Sequence, residues 1–261
     1  MIKAIFFDVD GTLLSHRTKQ VPPDAKQILK ELQENGIKIF ISTGRHPAEL
    51  SRLSVNVVDF DGYITLNGQL CLDKKRQVIF GKPFDKDTVS KLVSIFEKKE
   101  IPLILVEEQR NYINFVNDTV CKIQESISTP VPDISAYHGA NIYQATTFLR
   151  RDEEAEWRGY LPKECKFARW CDNGVDIISA KGGKVEGIKC FCNLYGIEQN
   201  EIMAFGDAEN DIEMLKYAYI GIAMGNAQDR VKKIADYVTT DIDENGIKNA
   251  IQFYNILPEL K

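Results

Sequence analysis

The stretch FFDVDGTLL, residues 6–14, decides how the chain begins to fold. Residues 3–7 are mostly apolar and include aromatic and β-branched side chains, which predicts a fully buried strand. Asp8 and Asp10 follow at the end of that strand, and a Gly-Thr pair comes directly after them. Carboxylates are rarely buried without a partner. Two of them at the end of a core strand therefore indicate a site that uses their charge.

Length and composition are those of a globular protein with one or two domains. The chain has 261 residues, of which 44% are hydrophobic and 27% charged, and its net charge is -5. An acidic balance of this kind excludes the basic footprint of a nucleic-acid-binding protein. Because no apolar run approaches the roughly 18 residues of a membrane span, we expect neither nucleic acid nor membrane among its partners.

Cysteine usage and the N-terminal residues point to a reducing compartment. The N-terminus becomes acidic at Asp8, which is too early for a signal peptide. The six cysteines are scattered, with no CxxC pair and no spacing typical of a zinc site. We therefore expect free thiols and a cytoplasmic protein.

The alternation of apolar strands and amphipathic helices predicts an α/β fold. An amphipathic helix follows the first strand, and a second buried strand follows at residues 37–42. Strand, helix and strand in succession form a βαβ unit, which is normally parallel and right-handed. The pattern changes to a mostly antiparallel α+β type over residues 82–181. We therefore expect a parallel-sheet core with helices on both faces, built from 1–81 and 182–261, with 82–181 inserted as a separate α+β domain.

One hairpin is predicted within the first core segment. Residues 63–72, YITLNGQLCL, have the pattern of two short strands around a turn. The Asn67-Gly68 pair in the middle is typical of a two-residue type I′ turn.

Three predicted strands end in polar residues that suit a common site. In an open parallel sheet, ligands bind beyond the carboxyl ends of the strands. Taken alone, DVDGT is as typical of an Asx-rich turn as of a site, but a second acidic strand end makes the turn reading much weaker. The residues concerned are Asp8 and Asp10 after the first strand, Thr43 and Gly44 after the second, and Asp207, Asn210 and Asp211 after a late strand.

Four carboxylates in one crevice would repel one another and raise one another's pKa values. A hard divalent cation relieves that repulsion, and Mg2+ takes oxygen ligands while keeping waters and a substrate phosphate. In such a site Asp8 can attack phosphorus as a nucleophile, and Asp10 can act as general acid and base. Thr43 and one lysine would supply hydrogen-bond donors and positive charge for the phosphoryl oxygens.

DVDGT, STG, a lysine and GDAEND resemble, in that order, the four motifs of the haloacid dehalogenase (HAD) superfamily of phosphohydrolases. The resemblance is to the Cof-like subfamily, which has a Rossmann-like core and a type IIB cap between its second and third motifs. It implies a Mg2+-dependent phosphatase that works through an aspartyl-phosphate. By position it implies Asp8 as nucleophile, Asp10 as general acid and base, Thr43, Lys184 and Asn210 as phosphoryl-binding residues, and Asp8, the backbone carbonyl of Asp10, Asp207 and Asp211 as metal-binding groups.

Two positions depart from the family's pattern. Ala208 stands where the family usually has glycine, which is a mild change unless that residue needs a positive φ. The lysine loop AKGGKVEGI is shorter than usual, so Lys181 is a rival to Lys184. Lys184 is favoured because it begins a helix. Gly44 and Arg45 follow the phosphate-binding threonine and are expected to contact phosphate or substrate.

The favoured hypothesis is a phosphatase for a small phosphorylated metabolite, with a sugar phosphate as the first guess for the leaving group. The inserted domain would act as a cap that selects it, and Glu107, Arg169, Trp170 and Asn173 are candidates for lining its pocket. A phosphomutase that uses the same aspartyl-phosphate, and a non-catalytic phosphoryl switch that binds Mg2+, remain as alternatives. The protein is expected to be a monomer or a homodimer.

Overall fold

The structure is a computed structural model, and it describes residues 1–258. The chain forms two compact units. The first unit consists of Met1–Phe80 together with the chain from Lys184 onward, and the second is Gly81–Gly183.

An eight-stranded sheet forms the centre of the first unit, in the strand order β13-β12-β11-β1-β2-β3-β4-β5. Neighbouring strands from β13 to β3 are parallel, and β4 returns antiparallel to β3. The predicted α/β class with a parallel-rich sheet is thus confirmed. The strands of this sheet are β1 (Ala4–Phe7), β2 (Lys38–Ser42), β3 (Gly62–Thr65), β4 (Leu70–Asp73), β5 (Val78–Gly81), β11 (Ile202–Gly206), β12 (Ile220–Ala223) and β13 (Tyr237–Val238).

A five-stranded sheet with antiparallel neighbours forms the centre of the second unit, in the order β7-β6-β8-β10-β9. One face of this sheet carries an apolar core of its own, into which Leu92, Phe96 and Tyr112 are buried. The strands are β6 (Leu103–Val106), β7 (Asn111–Ile113), β8 (Gln144–Thr147), β9 (Cys165–Cys171) and β10 (Gly174–Ser179).

Several helices bury one apolar face, as the spacing of their side chains predicts. In α1, for example, Ala25, Leu29 and Leu32 are buried, and Pro23 stands in the first turn where its missing N–H costs nothing. Within residues 1–258, none of the helices has both the length and the apolar character to cross a membrane. The helices are α1 (Pro23–Glu34), α2 (Pro47–Leu50), α3 (Lys86–Lys98), α4 (Asp118–Ser126), α5 (Glu154–Tyr160), α6 (Lys184–Tyr195), α7 (Ile212–Tyr217), α8 (Asp229–Lys232) and α9 (Gly246–Phe253).

Helix α6 lies unusually close to the core sheet, and this closeness sets the position of its first residue, Lys184. A Cβ atom at Gly187 would collide with the side chain of Ile64 on β3, so glycine permits the approach. One turn further on, Phe191 packs on Phe40 of β2 with ring centroids 4.7 Å apart. The N-terminus of α6 is thereby fixed against strands β2 and β3.

Strand β1 lies between β11 and β2, and all three are parallel. Phe7, the last residue of β1, is opposite Phe205 on one side and Ile41 on the other. The residues that follow the three strands therefore emerge at the same edge of the sheet. This register brings together sequence segments that are about 200 residues apart in the chain.

The hairpin formed by β3 and β4 turns at Asn67-Gly68, as the sequence predicts. Its strands pair from Gly62 with Asp73 up to Thr65 with Leu70, so residues 66–69 form the connection. Asn67 and Gly68 have the positive φ values of a type I′ turn, 51° and 86°, and the N–H of Gln69 donates to the carbonyl of Leu66 over 3.1 Å. Leu66 has a positive φ as well, which the sequence did not indicate. The predicted two-residue turn is therefore confirmed, and its backbone also forms hydrogen bonds with the loop after β2.

Candidate active site

Three buried aspartates meet at the carboxyl edge of the core sheet. Asp8 follows β1, Asp207 follows β11, and Asp211 ends the short 3-10 helix behind Asp207. One carboxylate oxygen from each lies within 4.8 Å of the others. Their relative exposures are 6%, 9% and 0%, respectively. Such a cluster is stable only if positive charge compensates it.

Lys184 supplies part of that charge. Its Nζ atom lies 2.5 Å from Oδ1 of Asp8 and 2.5 Å from Oδ1 of Asp211. The side chain is fully buried, which few lysines are unless they are paired. The rival candidate, Lys181, is exposed and belongs to the second unit. Of the two lysines, the structure therefore places Lys184 in the carboxylate cluster.

The loop of the GDAEND motif is held by Asp211. Its Oδ2 atom accepts hydrogen bonds from the backbone N–H groups of Asp207 (3.0 Å) and Ala208 (3.1 Å). Ala208 has φ -110°, an ordinary value for an L residue, so alanine in place of the usual glycine causes no strain. A Cβ atom at Gly206 would collide with Asp211, which explains the glycine that ends β11.

The Gly-Thr pair after Asp10 holds Asp207. The hydroxyl of Thr12 donates a hydrogen bond to Oδ1 of Asp207 over 2.9 Å, and both groups are buried. Gly11 has φ +82°, and a Cβ atom there would collide with the Asp207 carboxylate. Gly11 and Thr12 of the DGT sequence thus fix the position of the Asp207 carboxylate, which follows β11. Sequence reasoning did not assign Thr12 a role, although it stands within the first motif.

Burial and mutual repulsion control the protonation of these groups. Burial raises the pKa of Asp8 from 3.8 to about 7, and Asp211 and Asp10 act in the same direction while Lys184 opposes them. Burial also raises the pKa of Asp207 well above its ordinary range, and the charges of Asp8 and Asp211 add to this. Burial alone would lower the pKa of Lys184, but Asp211 and Asp8 outweigh it and raise that pKa. Lys184 is therefore a cation.

The residues of the cluster fit a divalent metal ion. Three buried carboxylates face a single ammonium group, so the cluster carries an excess of negative charge. Burial raises the pKa values of Asp8 and Asp207 most, and the charges of the neighbouring carboxylates add to this. Carboxylate oxygens converging at this spacing are the ligands that hard cations such as Mg2+ prefer.

The side chain of Asp10 pairs with Arg45. Its carboxylate accepts two hydrogen bonds from the guanidinium, over 2.6 Å from Nε and 2.8 Å from Nη2. Arg45 is largely buried, whereas the Asp10 side chain is 28% exposed. Nη1 of Arg45 also lies 3.6 Å from a carboxylate oxygen of Glu49 on α2. The side chain of Asp10 is thus held at the edge of the site.

The loop after β2 presents Thr43, which is 1% exposed. Its backbone N–H donates to the carbonyl of Ile64, and its hydroxyl oxygen accepts from the N–H of Arg45 over 3.2 Å. Among residues 1–258, no group accepts the proton of this hydroxyl, which leaves it available as a donor. Asn210 donates through Nδ2 to Oδ1 of Asn67 over 3.1 Å. The role of Asn67 was missed because an Asn-Gly pair is typical of any tight turn.

The sequence-predicted site residues all lie in the first unit. Direct contacts join Lys184 to Asp8 and Asp211, and Arg45 to Asp10. The complete set comprises Asp8, Asp10, Thr43, Gly44, Arg45, Lys184, Asp207, Asn210 and Asp211.

Of the four candidates in the second unit, Glu107, Arg169 and Trp170 have contacts within that unit. Arg169 is buried, pairs with Glu154 over 2.9 Å and donates through Nη1 to three backbone carbonyl groups. Glu107 pairs with Arg110 over 2.8 Å. Trp170 lies against Gly174, where a Cβ atom would collide with the indole. The contacts of Arg169 are those of a residue that holds the end of β9 in place.

Comparison with known proteins gives a family match over most of the chain. Residues 5–251 match the model of the haloacid dehalogenase-like hydrolase family. A protein of Bacillus subtilis named "Putative phosphatase YkrA" is 31% identical over 258 residues, which cover 98% of both chains.

Solved structures agree with this match. The chain resembles BT4131, described as a HAD subclass IIB sugar phosphatase, with TM-score 0.88 and 36% identity, covering 98% of this chain and 100% of that one. It also resembles BT1666 of Bacteroides thetaiotaomicron, a phosphatase of the same superfamily, with TM-score 0.89 and 31% identity, covering 98% of this chain and 96% of that one.

Proposed function

The chain belongs to the haloacid dehalogenase-like hydrolase family and is a phosphatase of that family, and on this premise we propose how it works and on what. The proposed reaction is the Mg2+-dependent hydrolysis of a small phosphate monoester through an aspartyl-phosphate on Asp8. The observation that carries it is the contact of buried Asp8 with Lys184, beside Asp207 and Asp211.

In the first step, an oxygen of Asp8 attacks phosphorus, and the bond from phosphorus to the leaving oxygen breaks. Lys184, already 2.5 Å from the Asp8 carboxylate, would neutralise charge on the phosphoryl group. Thr43 would donate its hydroxyl proton to a phosphoryl oxygen. The leaving oxygen takes a proton from Asp10. In the second step Asp10, now a carboxylate, accepts a proton from water as the water oxygen attacks phosphorus, and Asp8 is released.

To transfer a proton during the reaction, the carboxyl group of Asp10 must be able to leave Arg45. In this structure, the carboxylate of Asp10 accepts two hydrogen bonds from the guanidinium of Arg45. A substrate phosphoryl group is an anion that can compete for the same guanidinium. We therefore assign Arg45 to substrate binding, where it would release Asp10 as it engages the phosphate.

Asp8, Asp207 and Asp211 would hold the Mg2+ ion, with the backbone carbonyl of Asp10 as a further oxygen. When bound, the ion would supply charge stabilisation for the phosphoryl oxygens. The carboxylate of Asp211 accepts a hydrogen bond from the backbone N–H of Asp207 and so keeps that residue in place. The hydroxyl of Thr12 fixes the Asp207 carboxylate.

A sugar phosphate is the proposed substrate class. The support is the described activity of BT4131, with which this chain shares 36% of its residues over 98% of its length. The second unit, Gly81–Gly183, is proposed as the cap that selects the leaving group.

The test is phosphate release in the presence of Mg2+ from a panel of hexose, pentose, nucleotide, cofactor and amino-acid phosphates. Asp8→Asn should abolish release, because the amide is not a nucleophile. Asp59→Asn makes the same chemical change at an exposed position and should match the wild type. Equal rates for Asp8→Asn and wild type would overturn the proposal, and a preference for phosphates other than those of sugars would overturn the substrate class.

A further inference from the structure

The connection between β3 and β4 has a rare backbone conformation. Leu66, Asn67 and Gly68 have φ values of 51°, 51° and 86°, three left-handed residues in succession. All three are buried, and Asn67 is only 1% exposed. A leucine with positive φ is strained, and such strain persists only where the surroundings hold the backbone in place.

The backbone of this connection holds the loop that follows β2. The N–H of Leu66 donates to the carbonyl of Arg45 over 3.2 Å, and the N–H of Asn67 donates to the carbonyl of Thr43 over 2.9 Å. Thr43 and Arg45 are two of the residues assigned to the phosphoryl group. The left-handed conformation is what directs both N–H groups toward this loop.

The side chain of Asn67 reaches a second loop of the site. Its Oδ1 atom accepts the hydrogen bond from Nδ2 of Asn210, in the loop that follows β11. Asn210 Oδ1 is buried and has no hydrogen-bond partner among residues 1–258, so its contact with Asn67 is what orients the amide. Helix α6, which carries Lys184 at its first position, also packs against residues 66–68.

We propose that Asn67 is a positioning residue of the phosphatase site, which fixes Asn210 and the Thr43–Arg45 loop in the geometry that binds a phosphoryl group. The proposal rests on the function proposed above. Asn67 acts through these residues and makes no contact with substrate. Asparagine suits the position because it tolerates a left-handed backbone and offers an uncharged acceptor. Glycine offers only the first property, and aspartate would add a negative charge beside the anion site.

The test is a double-mutant cycle read by the binding of inorganic phosphate to the full-length protein with MgCl2, using titration calorimetry. Asn67→Gly keeps the backbone conformation and removes the acceptor, and Asn210→Ala removes the oriented amide. We expect each to weaken phosphate binding by about fivefold or more, the effect of one lost hydrogen bond. In the double variant, the second change should add less than about twofold, because both remove the same interaction.

A matched control is Asn255→Gly, which replaces an exposed asparagine at φ 49° far along the chain from the site. It should leave phosphate binding unchanged. The melting temperature of each variant reports the fold. Phosphate binding that is unchanged in Asn67→Gly, or losses in the double variant equal to the product of the two single losses, would overturn the inference.

Turnover separates this inference from the proposed function. If the wild type binds phosphate but hydrolyses no ester, the proposed function fails while the cycle still decides the role of Asn67. If the wild type hydrolyses sugar phosphates and Asn67→Gly retains wild-type KM and kcat, the positioning role fails alone. A wild type that binds no phosphate at all contradicts both.

Discussion

Arg45 holds Asp10 in a two-point ion pair, with Nε 2.6 Å from Oδ2 and Nη2 2.8 Å from Oδ1. The residue that is proposed to move the proton is therefore bound by the residue proposed to engage substrate. The planar fork fixes the side chain of Asp10, and the buried guanidinium has a further neighbour in Glu49 at 3.6 Å. In the proposed mechanism, the release of Asp10 would therefore be coupled to the arrival of an anion.

This coupling predicts that lysine cannot replace Arg45. Arg45→Lys keeps the positive charge and loses the two-point geometry, so we expect kcat/KM to fall by about 10²-fold, the usual cost of a misplaced catalytic group. Steady-state kinetics against the preferred substrate measures this fall. Arg52→Lys, at an exposed position, is the control and should be neutral. Wild-type kinetics in Arg45→Lys would contradict the coupling.

The proton-transfer role of Asp10 predicts a loss confined to catalysis. Asp10→Asn keeps the shape of the side chain but can neither give nor take the proton, so kcat should fall by about 10²- to 10⁴-fold. The loss should be smaller for a nitrophenyl phosphate, because its leaving group departs without a proton. A pH profile of turnover that matches the wild type would rule out this role.

The raised pKa of Asp8 predicts a pH-dependent effect of Mg2+ on stability. Without a cation, the folded protein keeps a proton on Asp8 up to about pH 7, whereas the unfolded chain loses it near 3.8. The folded state binds more protons in this window, so its stability falls as pH rises from about 4 to 7. Because Mg2+ favours the carboxylate, it should raise the melting temperature more at the upper end of the window than at the lower.

Melting curves with EDTA or MgCl2 at several pH values check this prediction. Asp8→Asn should lose much of the difference, since the amide does not titrate. An equal effect of Mg2+ at both ends of the window in the wild type would show that the carboxylates do not bind the ion.

Alanine should destabilise the protein more at Gly11 than at Gly36, although the two glycines have similar backbone angles. Gly11 has φ +82° and a Cβ atom there would collide with Asp207, whereas Gly36 has φ +78° and open space. Gly36→Ala should cost about 1 kcal/mol through backbone strain alone. Gly11→Ala should cost more and should also weaken Mg2+ binding, because the Asp207 carboxylate must move. Urea unfolding compares the two, and equal costs would mean that Asp207 moves freely.

The positions of the acidic residues could be predicted from sequence because local rules govern them. Asp8 and Asp207 each follow an apolar strand directly. If the two strands are parallel neighbours, both aspartates lie at the same edge of the sheet. The favoured choice of Lys184 over Lys181 came from its place at the start of a helix. The structure places Lys184 at that helix start, with its side chain in the carboxylate cluster.

The partners of Thr12, Asp10 and Asn67 could not be predicted in the same way. Thr12 bonds a carboxylate 195 residues away, and Asn67 bonds an amide 143 residues away. Such contacts depend on strand order and register, which no local pattern specifies. The turn between β3 and β4 could be predicted from its Asn-Gly pair, but its hydrogen bonds with the loop after β2 could not, since they join separate segments of the chain.

In the proposed mechanism, Asp8 carries the phosphoryl group during turnover. The most direct measurement is an acid quench of Asp10→Asn during reaction with a nitrophenyl phosphate and Mg2+, followed by mass spectrometry of its peptides. We expect one phosphoryl group on the peptide that contains residue 8 in Asp10→Asn, and none in the double variant that also carries Asp8→Asn. Two results together would contradict this mechanism while the wild type turns over normally. The peptide of Asp10→Asn would never carry phosphate, and Asp8→Asn would retain activity.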